Sequence, residues 1–287
     1  MNKPLLVLGM HRSGTTMIAE VLQDLGVFIG DRYGRNKEAY FFMNRNEWIL
    51  RRAGGAWDNP LPALEIMSCS RTRGKLVDKF RSEISSLSYV QYTGWASALK
   101  PSRQHISAAK DPRFIFTLPL WNEVLDFPAL ITITRNGPDV ARSLNVRAIK
   151  TLDSKYQNPL GCFNRNRRLT NLFSRYETYL LTSIRCLETR RAYALWIEYN
   201  RQLLTVLQTQ KSPVLQLKYE DVVAYPLESV ARIAEFCGLD LPRCVISGIA
   251  TKINRPTGDW RSRSPVGDEL ADLANSCDLM KTLGYLD

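Results

Sequence analysis

The stretch from Leu5 to Leu25 leaves the chain few choices of architecture. Leu5-Leu6-Val7-Leu8 is an unbroken apolar run that stops at Gly9, the pattern of a strand buried on both faces of a parallel sheet. A polar turn follows, and then Met17, Ile18, Val21, Leu22 and Leu25 recur at helical spacing until Gly26. Strand, glycine-bounded loop and helix in that order form the start of a crossover to a parallel neighbour. The opening of the chain therefore predicts an α/β fold.

Three later segments extend the pattern. Ile106 to Ala109, stopped by Asp111-Pro112, reads as a second strand, and Ala129 to Thr134 as a third, rich in β-branched residues. Asn136-Gly137-Pro138 then gives a turn, with proline placed to open a helix. Val214 to Leu217 is the fourth strand, and helical patterns cover 138–149, 188–208 and 226–237. This alternation predicts a central parallel sheet flanked by helices on both faces. Gly, Pro, Ser and Asn accumulate at 53–62, 94–105 and 252–268, but none of these stretches reads as an interdomain linker, so residues 1–287 are expected to form one domain.

Composition narrows the partners. Lys and Arg number 39 against 28 Asp and Glu, a net charge of +11 that suits an anionic ligand. Twelve Lys/Arg against four Asp/Glu fall between Arg135 and Arg191, as a solvated basic face or as a surface for an anionic cofactor or acceptor. With only His11 and His105, and six cysteines without a CxxC pair, no metal site is expected. The cysteines read as reduced thiols. Pro4 to Gly9 is too short for a signal-peptide core, and no run approaches the roughly 18 apolar residues of a membrane span, so a cytoplasmic protein is expected.

Gly9-Met10-His11-Arg12-Ser13-Gly14-Thr15-Thr16 carries the chemistry. Small residues let the backbone close round an anion while the first N–H groups of the helix point at it. The frame G-x-x-x-x-G-x-T is nearly the P-loop of nucleotide kinases, yet Thr15 stands where the phosphate-gripping Lys belongs, and the cation is Arg12, inside the loop. H-R-S-G-T-T resembles the 5′-phosphosulfate loop of sulfotransferases that use 3′-phosphoadenosine 5′-phosphosulfate (PAPS). The resemblance implies a P-loop-NTPase-like sulfotransferase fold. It implies that Arg12 stabilises charge on the leaving phosphate, that Ser13, Gly14, Thr15 and Thr16 cradle the 5′-phosphate, and that His11 donates to phosphate. A singly charged sulfuryl group can be handled by fixed cations without metal.

The rest of the chain supplies further matches. Arg135, at the end of the third strand, and Ser143, eight residues on, can converge on one phosphate, and R-N-G-P-D-V-A-R-S is similar to the family's 3′-phosphate motif. Lys218-Tyr219-Glu220-Asp221 resembles its Y-E-D segment, which implies that Tyr219 approaches the adenine. Gly258-Asp259-Trp260-Arg261 resembles the end of a loop that folds over the cofactor, with Arg255 where the family has R-K-G. The likeness runs from about residue 4 to 261.

An acceptor hydroxyl needs a base within hydrogen-bond reach. Where many cytosolic sulfotransferases have a His after the second strand, this chain has Lys110-Asp111-Pro112-Arg113, and His105 precedes the strand. Lys37-Glu38-Ala39-Tyr40-Phe41-Phe42 resembles the K-E-x-x-F-F segment of heparan-type glycan sulfotransferases, in which Glu is the base; in the G-Y-F-E pattern of bacterial relatives the Glu would fall at Phe42. Glu38 is the expected base, with Asp31 and Asp111 in reserve. Lys110 resembles a family Lys near the reacting centre, where it holds the acceptor, neutralises the sulfonate or forms a salt bridge. Aromatics at Tyr40–Trp48 and Tyr156–Tyr179 are core or line an acceptor cleft. The expected activity is sulfuryl transfer from PAPS to a hydroxyl or amine of a small molecule or glycan. The rivals are a P-loop kinase and a basic nucleic-acid-binding module. No nucleic acid partner is expected under the first reading, and neither acceptor nor oligomeric state is legible.

Overall fold

The computed structural model describes residues 4–30, 36–93, 106–156, 183–253 and 266–286. Four parallel strands, β1 (Leu5–Leu8), β2 (Ala108–Lys110), β3 (Leu130–Thr134) and β4 (Val214–Lys218), stand in the order β2-β1-β3-β4. Leu6 pairs with Ala109 on one side and Leu130 on the other, which makes β1 a central strand. All four of its residues are buried, as the unbroken apolar run requires. β2 starts later than expected and runs on to Lys110, because Lys110 continues the ladder opposite Val7.

Side-chain alternation along β1 divides the interior in two. Leu5 and Val7 join Ile131, Ile133 and Leu217 on one face, under α1 (Thr15–Asp24), α10 (Pro226–Phe236) and α11 (Arg243–Ala250). Leu6 and Leu8 join the larger core on the other face, under α2 (Tyr40–Arg52), α4 (Ser70–Ile84), α6 (Phe114–Val124), α7 (Gly137–Tyr156) and α8 (Thr189–Thr209). The short helices α3 (Ala63–Ser68), α5 (Leu87–Thr93), α9 (Tyr219–Ala224), α12 (Val266–Asn275) and α13 (Asp278–Thr282) complete the chain order. The expected helices are each present within a residue or two, except that α7 runs on to Tyr156. Among the described residues no helix is long and apolar enough to cross a membrane.

The larger core is aromatic. Phe42, fully buried, lies against Tyr92, Phe114 and Trp121 at centroid distances of 5.0–5.3 Å, and Phe80 stacks on Trp121 at 5.1 Å. Of the stretch Tyr40–Trp48, Phe41 and Phe42 are thus core, while Tyr40 and Trp48 are exposed. Embedded in this core, Asn46 accepts from Trp121 Nε1 (2.7 Å) and Thr117 Oγ1 (2.8 Å) and donates to Asp111 Oδ2 (3.0 Å). That network ties α2 and α6 to the turn leaving β2, and so fixes Lys110 just before it.

Candidate active site

Four loops meet at the carboxyl ends of the strands, where open parallel sheets bind ligands. After β1, Gly9 has no space for a side chain: a Cβ would lie 2.5 Å from the Ile133 carbonyl oxygen. The loop then bends through Arg12, at φ +70°, and Gly14, at φ +98°, into α1. A left-handed arginine costs on the order of 1–3 kcal/mol, strain of the kind found at ligand-binding turns. Ser13 Oγ is buried without a hydrogen-bond partner. No side chain caps α1, so the amides of its first turn are left for a ligand.

Arg12 joins this loop to the β3 exit. Its Nε donates to Ser143 Oγ on α7 at 2.8 Å, and its carbonyl accepts from Arg135 Nη1 at 3.3 Å. Arg135 lies 4.3 Å over the ring of Tyr219 and 3.6 Å from Asp139, and its Nε is buried and unpartnered. Tyr219 in turn packs on Gly14, where a Cβ would sit 2.6 Å from the ring. Arg12, Arg135, Ser143 and Tyr219 therefore form one cluster. Tyr219 begins α9 directly after β4, with its ring enclosed by Gly14 and Arg135.

The turn under Arg135 is braced from behind. The Asn136 amide donates to Glu220 Oε1 (2.9 Å), Tyr285 donates its hydroxyl to Glu220 Oε2 (3.1 Å), and Trp196 Nε1 donates to the Arg135 carbonyl (3.0 Å). Burial raises the Glu220 carboxyl above its ordinary range.

On the β2 side, Lys110 donates to the Asn36 carbonyl (2.7 Å), Glu38 Oε1 (2.9 Å) and Thr16 Oγ1 (3.4 Å). The Lys110–Glu38 pair is almost wholly buried, so Glu38 is neither an exposed helix-end carboxylate nor free of a cation. Burial lowers the Lys110 ammonium and Glu38 opposes that shift. Asp111 is corrected as a reserve base: fully buried, it accepts from Arg113 Nε at 2.9 Å and from Asn46, and holds the turn.

The His11 ring meets Trp57 edge-on at 4.9 Å and Tyr199 at 5.9 Å, and its buried Nε2 has no partner. Burial, then the charges of Arg147, Arg113, Lys110 and Arg12, push its pKa well below the usual imidazole value.

A cavity of about 600 Å³ opens among these groups, lined by Arg12, Thr16, Glu38, Lys110, Arg135 and Arg147, with Gly14 and Tyr219 at its wall. Its size suits a nucleotide-sized ligand. A second cavity, of about 1140 Å³, has Trp57, Asp58, Arg113, Arg185 and Glu198 in its lining. The Trp57 ring also contacts His11 and Arg147, two residues that line the first cavity. The expected residues Arg255, Trp260 and Arg261, the reserve Asp31, His105 and most of Tyr156–Tyr179 lie outside the described residues. Arg147 and Trp57 were not foreseen; position 147 falls one helical turn after Ser143, the only sign of it in the sequence.

Comparison with known proteins agrees with this geometry. No curated protein sequence matches the chain. Two solved structures share its fold over its whole length. The sulfotransferase domain from the curacin biosynthetic pathway is 16% identical, with 99% of that chain covered and a TM-score of 0.51. A sulfotransferase from Alicyclobacillus acidocaldarius is 14% identical, with 98% covered and a TM-score of 0.50. The sulfotransferase family model matches residues 4–243, most of the chain from β1 into α11. On that match, over a parallel sheet with an arginine-bearing glycine loop at its edge, the chain belongs to the sulfotransferase family.

Proposed function

We propose that the protein transfers a sulfuryl group from PAPS to a hydroxyl or amine of an acceptor. The observation that carries this is the cluster in which Arg12, lining the cavity, connects the glycine loop to both Ser143 and Arg135. The residues fit a donor with phosphate at two ends. Ser13 Oγ and Arg135 Nε are buried donors without partners, and Gly14 leaves the backbone bare beside them. When bound, the donor supplies a sulfuryl group and a phosphate leaving group that gathers negative charge.

Each residue then has a task set by its surroundings. The α1 amides and Ser13 to Thr16 hold the 5′-phosphate, and the outer nitrogens of Arg12 face the charge that develops there. Arg135 and Ser143 hold the 3′-phosphate, with Tyr219 as the shelf beneath the guanidinium. His11, half-buried in the cavity lining, is available to hydrogen-bond a phosphate oxygen. Glu38 accepts the acceptor's proton at Oε2 while Lys110 fixes Oε1 in place. In this reading the likeness of residues 37–42 to the K-E-x-x-F-F segment of glycan sulfotransferases counts toward Glu38 as base. The second cavity, beyond Trp57, mixes carboxylate, amide and guanidinium groups, a lining that suits a polyhydroxylated acceptor such as a carbohydrate.

Calorimetry with 3′,5′-diphosphoadenosine (PAP) and with ATP·Mg²⁺ tests the reading. The first binds without metal in the micromolar range, and Arg135→Ala abolishes most of that affinity. Equal or tighter binding of ATP·Mg²⁺ sinks the proposal in favour of a kinase. Salt-sensitive binding of DNA or RNA without preference for PAP sinks it in favour of a nucleic-acid module.

A further inference from the structure

Arg147 stands one turn beyond Ser143 on the same face of α7, and its guanidinium lines the 600 Å³ cavity with Arg12 and Lys110. It is backed by an aromatic ring. Its Cζ lies 4.8 Å from the Trp57 ring centroid, and Tyr199 fixes that tryptophan by donating to its carbonyl at 2.7 Å. Arg113 pairs with Asp111 and Glu47, Arg45 with Glu83, and Arg185 with Glu198. Arg147 forms no ion pair with any described residue, and its N–H groups donate to none of them. Burial and the nearby Arg12 both disfavour its charge, a tension that an anion in the cavity relieves.

Lys110, Arg12 and Arg135 in the same cavity each already hold protein partners. Lys110 spends its three N–H directions on Asn36, Glu38 and Thr16. Arg12 has given Nε to Ser143, and Arg135 is held between Tyr219, Asp139 and the Arg12 carbonyl. Arg147 gives none of its N–H groups to a described residue and presents a fork of donors to the cavity, beside the outer nitrogens of Arg12. We infer that Arg147, seated on Trp57, grips the sulfuryl oxygens of the donor, while Lys110 acts as a positioning residue that orients Glu38. A planar guanidinium suits two oxygens of one sulfonate as it suits a carboxylate or phosphate.

This inference rests on the PAPS reading above, and its test separates the two. PAPS and PAP differ only in the sulfuryl group, so their relative affinity isolates contacts to that group. Both are titrated by calorimetry into the full chain, wild type, Arg147→Gln and Arg147→Lys. In Arg147→Gln, PAPS is expected to weaken about tenfold or more, with PAP unchanged within about twofold. Arg147→Lys keeps a positive charge at the site, so it reads the planar guanidinium even where Gln disturbs the fold. It is expected to weaken PAPS about threefold or more, again without loss of PAP. A matched fall in both ligands, or unchanged PAPS binding in both variants, overturns the assignment of Arg147 and leaves the donor reading standing. Failure of the wild type to bind either nucleotide overturns the donor reading itself.

Discussion

A methyl group at Gly14 would meet Tyr219 Cδ2 at 2.6 Å, on a backbone whose φ of +98° already disfavours any side chain. Gly14→Ala is therefore expected to cost about 1–3 kcal/mol in urea unfolding. It also displaces the Tyr219 shelf under Arg135, so PAP affinity falls with it; retention of both sinks the close-packed loop described above. Glu38→Gln tests the base. The amide oxygen still accepts from Lys110, so PAP binding is expected to stay within about threefold, while labelled sulfuryl transfer falls about 100-fold or more. An unchanged rate would remove Glu38 from the chemistry. His11 sets a pH dependence whose sign follows from its environment. Its folded pKa is depressed, so as pH falls below about 6.5 the unfolded chain takes up a proton that the folded chain refuses. Its contribution to stability is present above that value and lost below it, and His11→Gln is expected to flatten this part of the stability–pH curve.

Among the elements, β1 and α1 were legible because a continuous apolar run and a 3.6-residue period each have one physical reading at that length. Phe42 shows where legibility ends. A pattern from relatives would put a carboxylate there, yet the side chain is fully buried against Tyr92, Phe114 and Trp121. Phe42→Ala is expected to cost about 3–5 kcal/mol in chemical denaturation. Phe42→Glu, an unpaired charge in that core, is expected to yield no cooperative unfolding transition; a folded, soluble Glu variant would contradict the packing. The Lys110–Glu38 pair joins residues 72 positions apart, and no local period encodes such a contact. Arg147 was hidden for a related reason. In the sequence it is one basic residue of many in 135–191, and its place in the cavity against the Trp57 ring is what sets it apart.

For the molecule as a whole, one sheet separates two cores, and the ligand-facing loops all leave it at the same edge. Ligand binding to that edge should stabilise the entire fold. At a PAP concentration 100 times its dissociation constant, stability is expected to rise by about 2.7 kcal/mol, and the melting midpoint by several degrees. A chelator should change neither figure, and a chelator-dependent shift would contradict metal-free binding. The far end of the chain shares in this. Tyr285 reaches Glu220, whose other oxygen steadies the Asn136 amide directly beneath Arg135. Tyr285 thus acts as a guy-rope on the turn that carries Arg135. Tyr285→Phe is expected to slacken PAP binding in calorimetry from a distance, without touching a single group that meets the ligand.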